Sequence, residues 1–115
     1  MIRKLGECDR IQTLDYLNQE SSFNIFIIGD IESFGMETDF QRIYGEFDSK
    51  NELMSVCLRY REYSVYYAHE TRFNTDYLSV FKTDPFQFIS GKKDLVDLIY
   101  PYLQDYNKLD KGSQE

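Results

Sequence analysis

Residues 53–61 and 63–69 each read as a β-strand, with Arg61-Glu62 as the turn where they meet. Met54, Val56, Leu58 and Tyr60 share one face of the first, and Tyr63, Val65 and Tyr67 one face of the second, which is the period of two that a pleated strand imposes. Strands joined by so short a link can pair only side by side in opposite directions, because a parallel partner needs a crossover of roughly a dozen residues. The middle of the chain is thereby committed to an antiparallel sheet, and the flanking segments must cover it. Arg61-Glu62 has neither Gly nor Asn at its centre, so the turn type stays open.

The segments ahead of this hairpin divide into one strand and two helices. Residues 41–47 read as a strand, followed by the turn Asp48-Ser49-Lys50-Asn51. Residues 1–5 form a short first strand, and residues 7–19 carry Ile11, Leu14 and Leu17 at offsets of three, with Asp9 available as a cap. The most apolar stretch, residues 21–35, sets Phe23, Phe26, Ile27, Ile31 and Phe34 at helical spacing, with Ile25 and Ile28 widening that face. Gly35 can end it by adopting positive φ. A helix this apolar must lie against a sheet or across a domain or subunit boundary.

Beyond the hairpin, Asn74 or Thr75 can cap a helix through about Phe81, with Leu78 and Phe81 one turn apart, Tyr77 flanking them and Asp84-Pro85 stopping it. Residues 86–90 form a short strand, Gly91 the bend, and residues 92–103 a last helix with Leu95, Leu98, Ile99 and Tyr102 on one face. Pro101 falls inside that pattern, where it kinks or ends the helix. The order β-α-α-β-β-β-α-β-α predicts an α+β fold with a central, mainly antiparallel sheet and helices on both faces. A single domain over residues 1–106 is expected, followed by a polar, flexible tail over 107–115.

Composition narrows the function classes. The chain has 115 residues, 42% of them hydrophobic and 29% charged, enough to bury one core without metal or disulfide support. A formal net charge of −7 disfavours nucleic acid and anionic membrane surfaces as partners. No apolar run approaches the roughly 20 residues that span a bilayer, and the N-terminus lacks the apolar core of a signal peptide, so a cytoplasmic location is expected. Cys8 and Cys57 have no ligand-like spacing, and two reduced thiols with no metal site are expected. Ten Tyr and nine Phe exceed common usage. Pleated packing of strand residues accounts for many of these rings, and an interface or ligand cleft for others.

Few motifs carry chemistry. His69-Glu70-Thr71-Arg72 puts the sole histidine beside a carboxylate and a guanidinium, and His69, Glu70 and Arg72 are the candidate polar cleft. Against it, neighbours on a strand point to opposite faces. Ser90-Gly91-Lys92-Lys93 lies where backbone N–H groups can hold an anion, but Phe86 and Lys93 occupy the places where a phosphate loop needs Gly and Ser or Thr; solvated lysines after a turn are the better account. Asp30 could serve a site or face solvent, and Gly29 could permit the close approach of another element. Arg59-Tyr60-Arg61-Glu62-Tyr63 mixes basic and aromatic residues as single-strand binders do, although alternation on a half-exposed strand explains it better. No catalytic residue is assigned.

Residues 15–17 and 23–32, with Tyr44-Gly45-Glu46-Phe47, His69-Glu70-Thr71-Arg72-Phe73-Asn74 and Phe88-Ile89-Ser90-Gly91-Lys92-Lys93, resemble in order the amino-terminal region of two-part GNAT-family N-acetyltransferases of Gram-positive bacteria. The resemblance implies a GNAT-like fold and an acetyl-CoA-binding half downstream, which this chain lacks. A working GNAT site carries Gln/Arg-x-x-Gly-x-Gly/Ala after the third middle strand. Here that stretch is residues 69–76, without a glycine; Arg72 could fill the first place, but Thr75 then replaces the first Gly and Asp76 adds negative charge. The resemblance therefore implies a non-catalytic domain that shapes an acceptor cleft or interdomain surface, with no cofactor-binding residue on this chain. Its partner would be a downstream GNAT domain or a second copy in a homodimer. A stand-alone, self-associating interaction domain is the alternative.

Overall fold

The computed structural model describes residues 1–103 and 110–111. Strand β1 spans Ile2–Lys4, β2 Gln41–Phe47, β3 Leu53–Tyr60, β4 Tyr63–Tyr67, β5 Phe88–Gly91 and β6 Asp110–Lys111. They form one sheet in sequence order. β1 to β4 pair antiparallel, whereas β5 joins β4 in parallel from Tyr63↔Phe88 to Tyr66↔Gly91, and β6 continues parallel to β5. The order β-α-α-β-β-β-α-β-α is reproduced through residue 99. Apart from β6, the expected tail over 107–115 lies outside the described residues, as do 104–106.

The hairpin forms as its pattern requires. Tyr60 pairs with Tyr63, and Arg61 takes the left-handed conformation with φ 53° in place of a glycine. That conformation is held because the Arg61 N–H donates to the Phe40 carbonyl at 2.8 Å, while its guanidinium lies over the Phe40 and Tyr60 rings. The 48–51 turn is built by Asp48, whose carboxylate accepts the N–H groups of Lys50 and Glu52.

Alternation along the strands splits the core in two. Val56, Leu58, Val65 and Tyr67 face α1 (Arg10–Leu17) and α2 (Ile25–Phe34), joining Leu5, Leu17, Ile27, Ile31 and Ile43. Cys57 and Tyr66 face the other way, toward α3 (Tyr77–Thr83) and α4 (Lys93–Ile99), with Tyr77, Phe81, Ile89, Leu95 and Ile99. Burial pushes the Cys57 thiol up to about 11, and neither cysteine is in a disulfide.

Several helix faces differ from expectation. The 7–19 segment is a 3-10 turn over Glu7–Asp9, α1 and the start of a second 3-10 turn over Asn18–Glu20; within α1, Ile11 is 77% exposed while Thr13 and Leu17 are buried, because steps of three drift about 60° each around the helix. Asp9 does not cap α1; its carboxylate accepts the Gly6 N–H and pairs with Arg3. α2 begins at Ile25, so Phe23 precedes it, and only Ile27 and Ile31 are buried along it while Phe26 is 82% exposed. Gly35 ends it with φ 84° and an N–H donated to the Ile31 carbonyl. In α3 it is Tyr77 and Phe81, rather than Leu78, that are buried. Pro101 falls in a 3-10 turn over Tyr100–Leu103 that follows α4; there Val96 and Leu103 are buried, while Leu98 and Tyr102 are exposed. No helix among the described residues is long and apolar enough to cross a membrane.

Candidate functional site

A cavity of about 470 Å³ opens between α2 and the sheet. Phe26 and Ile27 of α2, with Phe23 from the connector just ahead of it, form one side; Leu58, Tyr60, Tyr63 and Val65 come from β3 and β4, and Ser90-Gly91 from β5. The strand residues reach it through the hairpin: 58, 60, 63 and 65 project to the α2 face on either side of the two-residue turn. Gly91 is required beside it, since a Cβ there would lie 2.5 Å from the Tyr66 carbonyl oxygen.

Asp30 is the one charged residue in this lining. It is partly buried, and its carboxylate makes no hydrogen bond or ion pair with any described residue. Burial alone raises its pKa above the usual 3.8. The backbone beneath it is fixed by buried Gln41, whose Nε2 donates to the Asp30 carbonyl at 3.2 Å and the Gly35 carbonyl at 2.7 Å. Gly29, next to Asp30, has nothing within 4 Å of an added Cβ, so it does not serve a close approach.

The connector ahead of α2 is tied down by a polar cluster. Glu20 accepts from the Tyr67 hydroxyl at 2.7 Å and from the Lys92 ammonium. The hydrogen bond from Lys92, with that from Tyr67, holds the Glu20 carboxyl below its ordinary range. Lys92 also sits 5.5 Å from the Phe23 ring centroid, which places that ring at the cavity. Lys92 and Lys93 are therefore not free solvated lysines, for Lys93 pairs with Asp97 at 3.0 Å.

The structure does not bring His69, Glu70 and Arg72 into one cleft. His69 lies at the Glu20 cluster, its Nδ1 3.6 Å from the Glu20 carboxylate and 3.4 Å from the Tyr67 hydroxyl. Glu70 is exposed and, with His69 and Tyr16, borders a separate cavity of about 180 Å³. Arg72 turns instead to buried Glu46, which also accepts from Ser55 and Asn74. Arg59 is likewise not on a half-exposed face. It is 2% exposed and donates to carbonyls of Arg61, Tyr63, Asp84 and Pro85, locking the hairpin turn to the end of α3. No cluster of metal-ligating side chains occurs among the described residues.

Asp30 is visible in the sequence as an ambiguous acid, and Phe23 and Phe26 lie near it in the chain, but Tyr60 and Tyr63 reach the cavity from 30 or more positions away. The even-numbered residues of β3 gave part of the signal.

No family model and no curated protein matches the chain. Among solved structures, a mutant of the BH1408 protein from Bacillus halodurans is similar with a TM-score of 0.54 at 12% identity, covering 100% of this chain and 96% of that one. A tetramutant of BH1408 gives 0.47 at 11% identity, over 100% and 81%. The likeness to the first is one of fold, and the shared architecture is α+β.

Proposed function

We propose that this chain is a non-catalytic, GNAT-like amino-terminal domain of an N-acetyltransferase, in which α2 and the β3–β5 face form the wall of an acceptor cleft or interdomain surface. The observation that carries this reading is the aromatic cavity beneath α2, with Phe26 82% and Tyr63 49% exposed at its border. A volume of about 470 Å³ suits a small organic molecule, whose pockets run to about 300–1,000 Å³. The element order agrees with the order the resemblance implies.

The segment between β4 and α3 is poorly made for a pyrophosphate. Its arginine is committed to Glu46, and the N–H groups of Asp76, Tyr77, Leu78 and Ser79 are taken by Asn74, Thr75 and Asp76 oxygens. An anion at a helix start needs such donors free. Acetyl-CoA would then belong to a downstream domain. Isothermal titration of the chain with acetyl-CoA is expected to give no saturable heat; tight binding overturns the non-catalytic assignment.

A second reading is self-association through α2, favoured by Ile25 at 60% and Phe34 at 42% exposure on the same helix as Phe26. Light scattering across a broad concentration range tests it, and a constant monomeric mass excludes it.

A further inference from the structure

We infer that the chain forms a two-fold homodimer through the face that carries α2 and the hairpin turn. The Phe26 ring of each copy seats in the other's cavity, and the Asp30 carboxylate of each meets the other's Arg61 guanidinium. This assignment rests on the self-association reading, and adds its geometry and its charge pairing.

The face is one continuous apolar surface. Ile25, Phe26, Tyr60 and Tyr63 line the cavity, and Phe34 and Phe40 extend the patch, their ring centroids 6.0 and 5.4 Å from that of Tyr60. Ile25, Phe26, Phe34 and Tyr63 are each more than two-fifths exposed. At roughly 200 Å² for a large side chain, their exposed parts amount to about 450 Å² of mainly apolar surface. One side of a standard interface buries about 800 Å², somewhat over half of it apolar. The patch therefore supplies the apolar area that one partner of a stable dimer brings.

A second copy is the partner that fits, because the patch carries both halves of the contact. Phe26 is the most exposed large hydrophobic residue described, and it stands at the border of a cavity of about 470 Å³. A two-fold axis beside that border exchanges the two rings, each into the other's cavity, as a self-complementary contact requires.

The charges match in the same way. Asp9, Glu20, Glu46 and Asp84 each pair with a cation of their own chain, whereas Asp30 lines the cavity with no partner among the described residues. Arg61, at the hairpin turn, makes no ion pair among the described residues. Its guanidinium lies over the Phe40 and Tyr60 rings, and stacking through its faces leaves the N–H edge free for a carboxylate. Joined across the axis, Asp30 and Arg61 form two equivalent pairs, and the carboxylate that the contact encloses is not left unmatched.

The test joins light scattering to NMR on the full chain at about 0.15 M salt, where charges more than about 8 Å apart are screened. The mass is expected to rise from monomer to dimer with concentration. In a dimer mixed from carbon-13-labelled and unlabelled copies, filtered NOEs are expected from the Phe26 ring of one copy to the Val65 methyls of the other. Asp30→Asn and Arg61→Asn, the latter compatible with the positive φ at 61, are each expected to weaken the dimer about tenfold, and the double variant no more than either alone. In dilute solution, where the chain is separate, Asp30→Asn is expected to stabilise the fold, so its two effects have opposite signs. A mass that stays monomeric overturns the inference and the self-association reading together. A dimer lacking the Phe26–Val65 contacts between copies, or one in which the two substitutions act additively, overturns the inference and leaves self-association in place.

Discussion

Arg72 meets Glu46 through two parallel N–H···O bonds, Nη1 to Oε1 and Nη2 to Oε2, each 2.8 Å long. The pair fastens the segment after β4 onto β2, and Ser55 and Asn74 satisfy the rest of the carboxylate. Removing one partner of a sheltered pair leaves the other charge unmatched. Arg72→Met is therefore expected to lower unfolding stability by about 3 kcal/mol. In urea melts, adding Glu46→Gln to Arg72→Met should cost less than the sum of the two single changes.

Acid should unfold the chain through the same contacts. At Glu46, burial alone would raise the carboxyl, but hydrogen bonds from Arg72, Asn74 and Ser55 outweigh it and leave it below the usual 4.5. Asp84 behaves alike: burial is opposed and overcome by Arg42, Tyr44 and Arg59. A carboxyl depressed in the folded state contributes its stability above the unfolded value, and that contribution fades as pH falls through the folded one. Stability should thus be level near neutrality and drop once pH passes below about 4.5, as followed by denaturant midpoints at a series of pH values.

Asp30 predicts the opposite sign. Its carboxyl is raised by burial, so the folded state disfavours the charged form at neutral pH and is indifferent once the group is protonated. Asp30→Asn should raise the melting temperature at pH 7, and the gain should shrink as pH falls through the raised folded value and be gone below the ordinary 3.8. A gain that persists unchanged in acid would mean that charge is not its cause.

Gly29 lies inside α2 with nothing within 4 Å of an added Cβ and no unusual φ. Alanine there restricts the unfolded chain and suits the helix better, worth about 0.5–1 kcal/mol. Gly29→Ala should raise the urea midpoint without changing the slope of the transition.

The strands were legible because their signal is local. Tyr63 and Val65 needed only a two-residue turn and a period of two to be placed on one face. Helix faces were less so. In α2 the residues Ile25, Phe26, Ile27, Ile28, Ile31 and Phe34 are apolar around most of the circumference, so periodicity could not choose a buried side. Contact with Ile43 and Leu58 chose Ile27 and Ile31. Ile11 misled for another reason: steps of three drift about 60° each around a helix of 3.6 residues per turn, so Ile11 stands about 120° from buried Leu17 on α1. The candidate site was the least legible part. His69 and Arg72 are three positions apart, yet each is drawn to a distant acid, Glu20 or Glu46, that no local pattern announces.

Gly91 offers the sharpest test of the site's frame. It has φ 150°, a conformation L side chains rarely adopt, and a Cβ would stand 2.5 Å from the Tyr66 carbonyl oxygen, an atom of the neighbouring strand's backbone. Neither strand can yield easily, because Tyr66 and Gly91 are paired at the end of the β4–β5 ladder and Ile89 is buried two residues earlier. Gly91→Ala should therefore cost more than about 2 kcal/mol, combining the strained backbone with the clash. Because the displaced strand end borders the cavity, the same variant should perturb amides of Tyr63 and Ser90 more than those of β1. A midpoint unchanged from the unaltered chain would show that β5 can shift away from Tyr66, and that the cavity's floor is not fixed by this glycine.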